Sequence, residues 1–346
     1  MSDTNNDTNN NTTTTAANPP KLKLLNYANV IAYVANIVFT YGIGVMGWFG
    51  FQTNGDLSRK YQTLVTPSGS TFSIWGIIFI SQFIFVVAQM FPRFRSHPLI
   101  VDGVGYTYAL GVCAFQIAWT FAFTNEVIWL AFLFMVGILI TLLKIMYDQS
   151  LLPMQQGLKE FWLWKFPFAI HAAWITAATF VNLSAILVAQ SVDSTVQYGV
   201  ALASLVLVMI VGFFSLIYPS KPNYVQPLVL AWALFGINSE LKKPIELITS
   251  TFTEDQINAI KTGSLISYPI LIAAVVIAAL FEIIQRKCRQ NSGNGSSDPN
   301  DREERGEASA TDDKCENATL AEEAVSKASE GSDKGDSHGK NNTDSV

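Results

Sequence analysis

The sequence predicts an all-α protein: a polytopic membrane helix bundle of about eight transmembrane helices with disordered tails. Three observations predict it. Half of the 346 residues are apolar and only 14% are charged. The charges gather at the two ends and in the gaps between long apolar runs. Those runs match, or nearly match, the ~20 residues that cross ~30 Å of hydrocarbon at ~1.5 Å per residue. A soluble globular fold is excluded on this composition.

The elements follow in order. Residues 1–25 form a polar N-terminal tail, and its first 20 residues, rich in Asn, Thr and Asp, have no apolar face. Apolar runs then occupy about 26–50, 70–91, 100–123, 125–147, 161–189, 197–218, 224–239 and 264–285. The first five make one unit over 26–190, and three additional helices occupy 191–285. The seventh run is short and carries Pro227, which predicts a kink or a re-entrant segment. Residues 286–346 read as an acidic tail. Its last 56 residues hold 14 acids and six Lys or Arg, a net of −8, which leaves the rest of the chain at +3. Such polar ends bury too little surface to offset their ordering entropy.

The N-terminus lacks the basic region of a cleavable signal and the Arg-rich character of a transit peptide, so the first helix acts as its own insertion signal. With eight spans both termini share a side. That side would carry Lys21, Lys23, Arg93, Arg95, Lys159, Lys221, Arg286, Lys287 and Arg289, against Arg59, Lys60, Lys242, Lys243 and Lys261 opposite. The excess predicts both termini in the cytoplasm. Which membrane receives the chain is not encoded here.

Three runs carry the candidate site. In the second, Thr66-Pro67-Ser68-Gly69 turns into a helix on which Phe72, Trp75 and Phe79 recur at spacings of three and four. This is one aromatic face, equally compatible with plain helix packing. In the third, Gln116 and Trp119 stand three apart, and a mid-membrane amide needs a partner in another helix or a ligand. In the fifth, His171 and Trp174 share a face and Asn182 returns to nearly the azimuth of His171. An intramembrane His is either a structural hydrogen-bonding group or a ligand contact, and both readings stand. No second His or Cys stands at metal-ligand spacing, so neither a metal site nor catalytic residues are expected. There is no midplane acidic pair, phosphate-cradling loop or nucleophile–base pattern, and nothing points to nucleic acid. The acid-poor centre favours an apolar ligand.

These residues carry a resemblance. Pro67 and Trp75, then Gln116 (in place of Asn) and Trp119, then Ala173, Trp174 and Asn182 resemble the tryptophan-rich sensory protein or translocator protein family, TspO/MBR. Pro167-Phe168, seven residues before Trp174, and the run from Pro227 through Trp232 to Ile237 are similar to its longer members with extra C-terminal helices. Phe79 departs from a Tyr common in the family, and Ile170 from a Pro of the short forms. The end of the fifth run, Val188 to Asp193, lacks the order proposed for sterol contact. The resemblance implies a TspO-like five-helix unit plus three appended helices, embedded in a lipid membrane. It implies a small planar apolar ligand, a porphyrin or heme, and the residues expected to hold it, from the spacing and the resemblance together, are Phe72, Trp75, Phe79, Gln116, Trp119, His171, Trp174 and Asn182. The role expected is sensing or transport. Enzyme-like oxidative degradation of a tetrapyrrole, a structural or regulatory role acting through the acidic tail, and a homodimer stay open.

Overall fold

The computed structural model describes residues 20–153, 157–218 and 222–294. The expected N-terminal tail before residue 20 and the acidic tail beyond 294 lie outside the described residues. The first helix, α1 (Leu24–Val45), opens where the Asn26 side chain accepts the backbone N–H of Lys23 at 3.0 Å. Its pattern is inverted relative to a soluble helix. Leu24, Ile31, Val34 and Val38 face outward, while Asn26, Asn29, Tyr33, Asn36 and Thr40 are buried. Apolar outside and polar inside is the arrangement that hydrocarbon solvent favours, because each polar group then finds protein.

The short α2 (Asn54–Lys60) is capped by Thr53, whose hydroxyl accepts the amide of Asp56 at 3.1 Å. Next come α3 (Gly69–Ala88), α4 (Leu99–Thr124) and α5 (Ile128–Ser150). Two wide π-helical turns shape α4, and Gly105, at φ +53°, separates them. Then follow α6 (Leu158–Ala189), α7 (Ser194–Ile217), α8 (Val225–Glu240), the short α9 (Glu246–Thr251) and α10 (Glu254–Asn294). Asp193 caps α7 by accepting the amide of Thr195 at 2.8 Å.

Among the described residues seven helices are long and apolar enough to cross a membrane, and α8 is not one of them. At 16 residues it spans about 24 Å. The expected kink at Pro227 is not needed. Pro227 sits in the first turn, where a missing N–H costs no helical hydrogen bond. The last helix starts ten residues before the expected 264 and continues past 285 to Asn294, so the boundary placed at 286 falls inside a helix. An ion pair between Glu282 and Arg286, one turn apart, supports that extension.

Two large apolar cores organise the bundle. One lies among α1, α3, α4, α5 and α6 and includes Phe85, Tyr108, Ile138, Trp164 and Phe168. The other joins the start of α3 and the middle of α6 to α7, α8 and α10. In that second core α8 is central, packing on α6, α7, α10 and the first turn of α3. It runs antiparallel to α10: the Tyr224 hydroxyl donates to Glu282 at 2.6 Å, and the Asn238 amide donates to the Lys261 carbonyl at 2.9 Å. At the other extreme of the chain, Arg95 after α3 donates to the Pro20 carbonyl at 2.9 Å. The start of α6 packs beside α3, and α7 returns through a short turn. The start of α1 and the end of α10 therefore lie at one end of the bundle.

Candidate ligand-binding site

Helix α6 supplies the centre. Every residue from Pro167 to Ala177 is buried. A helix buried all round has no single face, so a spacing of three does not aim His171 and Trp174 at the same neighbour. His171 turns toward α3. Its Nδ1 lies 2.9 Å from Nε2 of Gln82, and the Tyr108 hydroxyl donates to the Gln82 Oε1 at 3.2 Å. The amide nitrogen can only donate, so Nδ1 accepts and the proton of the neutral ring sits on Nε2. That Nε2 is buried and has no hydrogen-bond partner among the described residues.

An aromatic pair stands beside the ring. Trp75 meets the His171 ring edge-on at 5.5 Å and stacks on Phe79 at 5.4 Å and 25°. The Phe79 carbonyl accepts the Tyr33 hydroxyl at 2.9 Å, which ties α1 to α3. Phe72, in the tight turn before the α-helical part of α3, takes a different direction and packs edge-on against Trp174 at 5.5 Å. Trp174 belongs to the core shared with Leu230 and Leu234 of α8. The expected single aromatic face is thus divided: Trp75, with Phe79 stacked on it, meets His171, and Phe72 meets Trp174.

Trp119 and Asn182 form a separate pair. The indole N–H donates to the Asn182 Oδ1 at 3.1 Å, and the Asn182 Nδ2 donates to the Ala178 carbonyl at 2.9 Å. Trp119 also stacks on Phe123 at 5.1 Å. Eleven residues separate His171 from Asn182, about 16 Å along the axis, so a shared azimuth does not bring them together. Gln116 is 1% exposed, and neither end of its amide has a partner among the described residues. An apolar groove of about 710 Å³, lined by Val206, Ile210, Phe213 and Gly263 among others, lies between α7 and α10, and no expected site residue lines it.

Three features escaped the sequence reading. Gln82 and Tyr108 complete the polar contact of His171. The row Asn26, Asn29, Tyr33, Asn36 and Thr40 faces inward on α1, and its spacing of three, four, three and four was the available signal. Finally, α8 holds the turn that leads into Trp75. The Ser68 amide donates to the Gly236 carbonyl at 3.0 Å, Trp232 Nε1 to the Thr71 carbonyl at 2.9 Å, and Gln62 Nε2 to Glu240 at 2.7 Å. Gly236 is required there, because a Cβ would come within 2.2 Å of the Thr71 hydroxyl and 2.9 Å of Pro67.

The loops at that end carry a charged cluster. Lys60 and Tyr61 both donate to Glu126. The Lys60 ammonium and then the Tyr61 hydroxyl hold the Glu126 carboxyl below its ordinary value, and Glu126 raises Lys60 in return.

Chemically, the His171 region offers a buried N–H donor without a partner among the described residues, beside the Trp75 ring. Long apolar helices with a polar interior define a multi-pass α-helical membrane protein. Within that class, the family model of TSPO-like proteins matches residues 26–283, and the chain belongs to that family. No curated protein and no solved structure matches it.

Proposed function

We propose that the five-helix part binds a planar apolar ligand of the porphyrin or heme type, for sensing or transport, through the rings around His171. The observation that carries this reading is the His171 Nε2 donor, buried without a partner beside the stacked Trp75 and Phe79. An unsatisfied polar group in an apolar enclosure costs free energy that a hydrogen-bonding ligand recovers. Aromatic faces suit a flat ligand by stacking, and entry requires Trp75 to part from Phe79. Membership in the TSPO-like family supports the same ligand class.

The test is titration of the purified full chain with protoporphyrin, followed by tryptophan quenching and the porphyrin absorption band. Trp75→Phe should weaken binding by about 1 kcal/mol, roughly fivefold. His171→Ala should weaken it further while leaving Gln82 to Tyr108. If both variants keep the fold and the parent affinity, the ligand does not bind here.

A further inference from the structure

The inner faces of α1 and α4 meet through hydroxyls and amides. Arg95, in the link between α3 and α4, reaches the Pro20 carbonyl just before α1, so α1 and α4 start at one end of the bundle and run parallel. The hydroxyl oxygens of Thr40 and Thr120 meet across the interface, 3.4 Å apart. One turn earlier on each helix stand Asn36 and Gln116, which puts their amides at one level on facing sides. They are 0% and 1% exposed. The Asn36 Nδ2 and both ends of the Gln116 amide have no hydrogen-bond partner among the described residues, so the two side chains do not bond each other. Turning the Asn36 amide over changes which end is bonded and still leaves the other without a partner.

The hydroxyl protons here are fewer than the contacts. The Thr40 hydroxyl donates to the Asn36 Oδ1 at 3.1 Å, and the Thr120 hydroxyl donates to the Gln116 carbonyl at 3.0 Å. Each hydroxyl carries one proton. With both spent along their own helices, the Thr40–Thr120 contact has no donor of its own. Unused donors therefore stand on both amides, and unused acceptors on Gln116 and the two threonines. We propose that this interface binds water: one or two molecules that accept from the Asn36 and Gln116 amides and donate to Gln116 Oε1 and the threonine oxygens. A buried water makes about three such bonds, and hydrocarbon outside the bundle offers these groups none. The mixture of donors and acceptors suits neither ion: a cation would meet the amide N–H groups, and an anion the hydroxyl oxygens. Burial does not bar the ligand, because water reaches internal sites through local opening of the fold. Gln116 is then a hydration residue that joins α4 to α1, and this assignment does not rest on the ring ligand at His171.

The experiment places the full chain, labelled with heavy nitrogen at asparagine and glutamine, in detergent micelles and records NMR cross-peaks between water and the side-chain amide protons. Asn36 and Gln116 should show cross-peaks of the sign given by a water held longer than the tumbling time of the micelle. Asn182 and Asn238 are buried and donate to the Ala178 and Lys261 carbonyls, and their water cross-peaks should be at least fivefold weaker. Gln116→Leu should weaken the Asn36 cross-peak at least fivefold. Absence of water cross-peaks from both amides of the parent overturns the proposal. A cross-peak between the two amides would then show that they bond each other directly, and one to a methylene would show a lipid or detergent occupant. An unchanged Asn36 cross-peak in a folded Gln116→Leu chain overturns the bridge. The parent spectrum alone decides whether water is held, so that result does not depend on the variant folding.

Discussion

Asn182 shows how narrowly a polar residue is placed in this interior. One end of its amide accepts from Trp119 and the other donates one turn back along its own helix. Asn182→Ala leaves the indole N–H unpaired and should lower stability by about 1–3 kcal/mol. On a Trp119→Phe background the same change should cost much less, and a thermal-unfolding cycle in detergent measures the difference. Outside the membrane, Glu126 predicts a pH response. Its carboxyl is lowered in the folded state, so its contribution is full above the ordinary carboxylate value of 4.5 and is lost as pH falls through the lowered one. Lys60→Met should remove that acid-side loss of melting temperature, and salt should blunt it in the parent. At this scale the sequence named the residues better than their partners. Trp75, His171 and Trp174 stood out as costly groups in an apolar run. Their contacts stayed hidden because α6 is buried on every side from Pro167 to Ala177, and helical phase then carries no direction. The asparagine row of α1 was hidden for another reason: hydropathy averaged over a window conceals a few inward amides.

At the scale of elements, α8 was the least legible. Its short length and Pro227 suggested an interrupted helix, yet the proline falls in the first turn and the helix runs unbroken from Val225 to Glu240. Burial from neighbouring helices, not intrinsic length, gives it its place. The residue that seats it on the Pro67 turn is Gly236. Gly236→Leu should unseat residues 62–71 at a cost of about 1–3 kcal/mol. Hydrogen exchange should then rise across that loop, while the contact of α5 with α6 stays protected. Unchanged exchange at 62–71 would mean that the loop is held by its own packing, through Leu64 and Val65.

At the scale of the whole molecule, the fold class was legible because lipid solvent imposes a length and polarity rule that few sequences satisfy by accident. Seven of the eight apolar runs appear as spans of the required length, and the seventh in order, now α8, as a shorter helix within the bundle. With α1 starting and α10 ending at the same end, and basic residues in excess there, both termini should face the cytoplasm. Reporter tags at residues 10 and 330 should give equal accessibility in intact and in permeabilised cells. Opposite accessibility would require α8 to enter and leave by one face. The site was less legible than the fold, since the eight expected residues fall into three separate contacts, Trp75 and Phe79 by His171, Phe72 by Trp174 and Trp119 by Asn182, with Gln116 in none of them.

The bond from Gln62 to Glu240 joins positions 178 residues apart in the chain. A ribosome adding about 5–20 residues per second needs roughly 9–36 s to cover that distance. The five-helix part is complete only at Ala189, so over the last 51 of those residues, roughly 3–10 s, it exists beside a loop whose anchor has not yet been made. The chain therefore passes through an unlatched stage during its own synthesis, when access to the rings around Trp75 is governed by the nascent bundle alone, and arrival of α8 ends it.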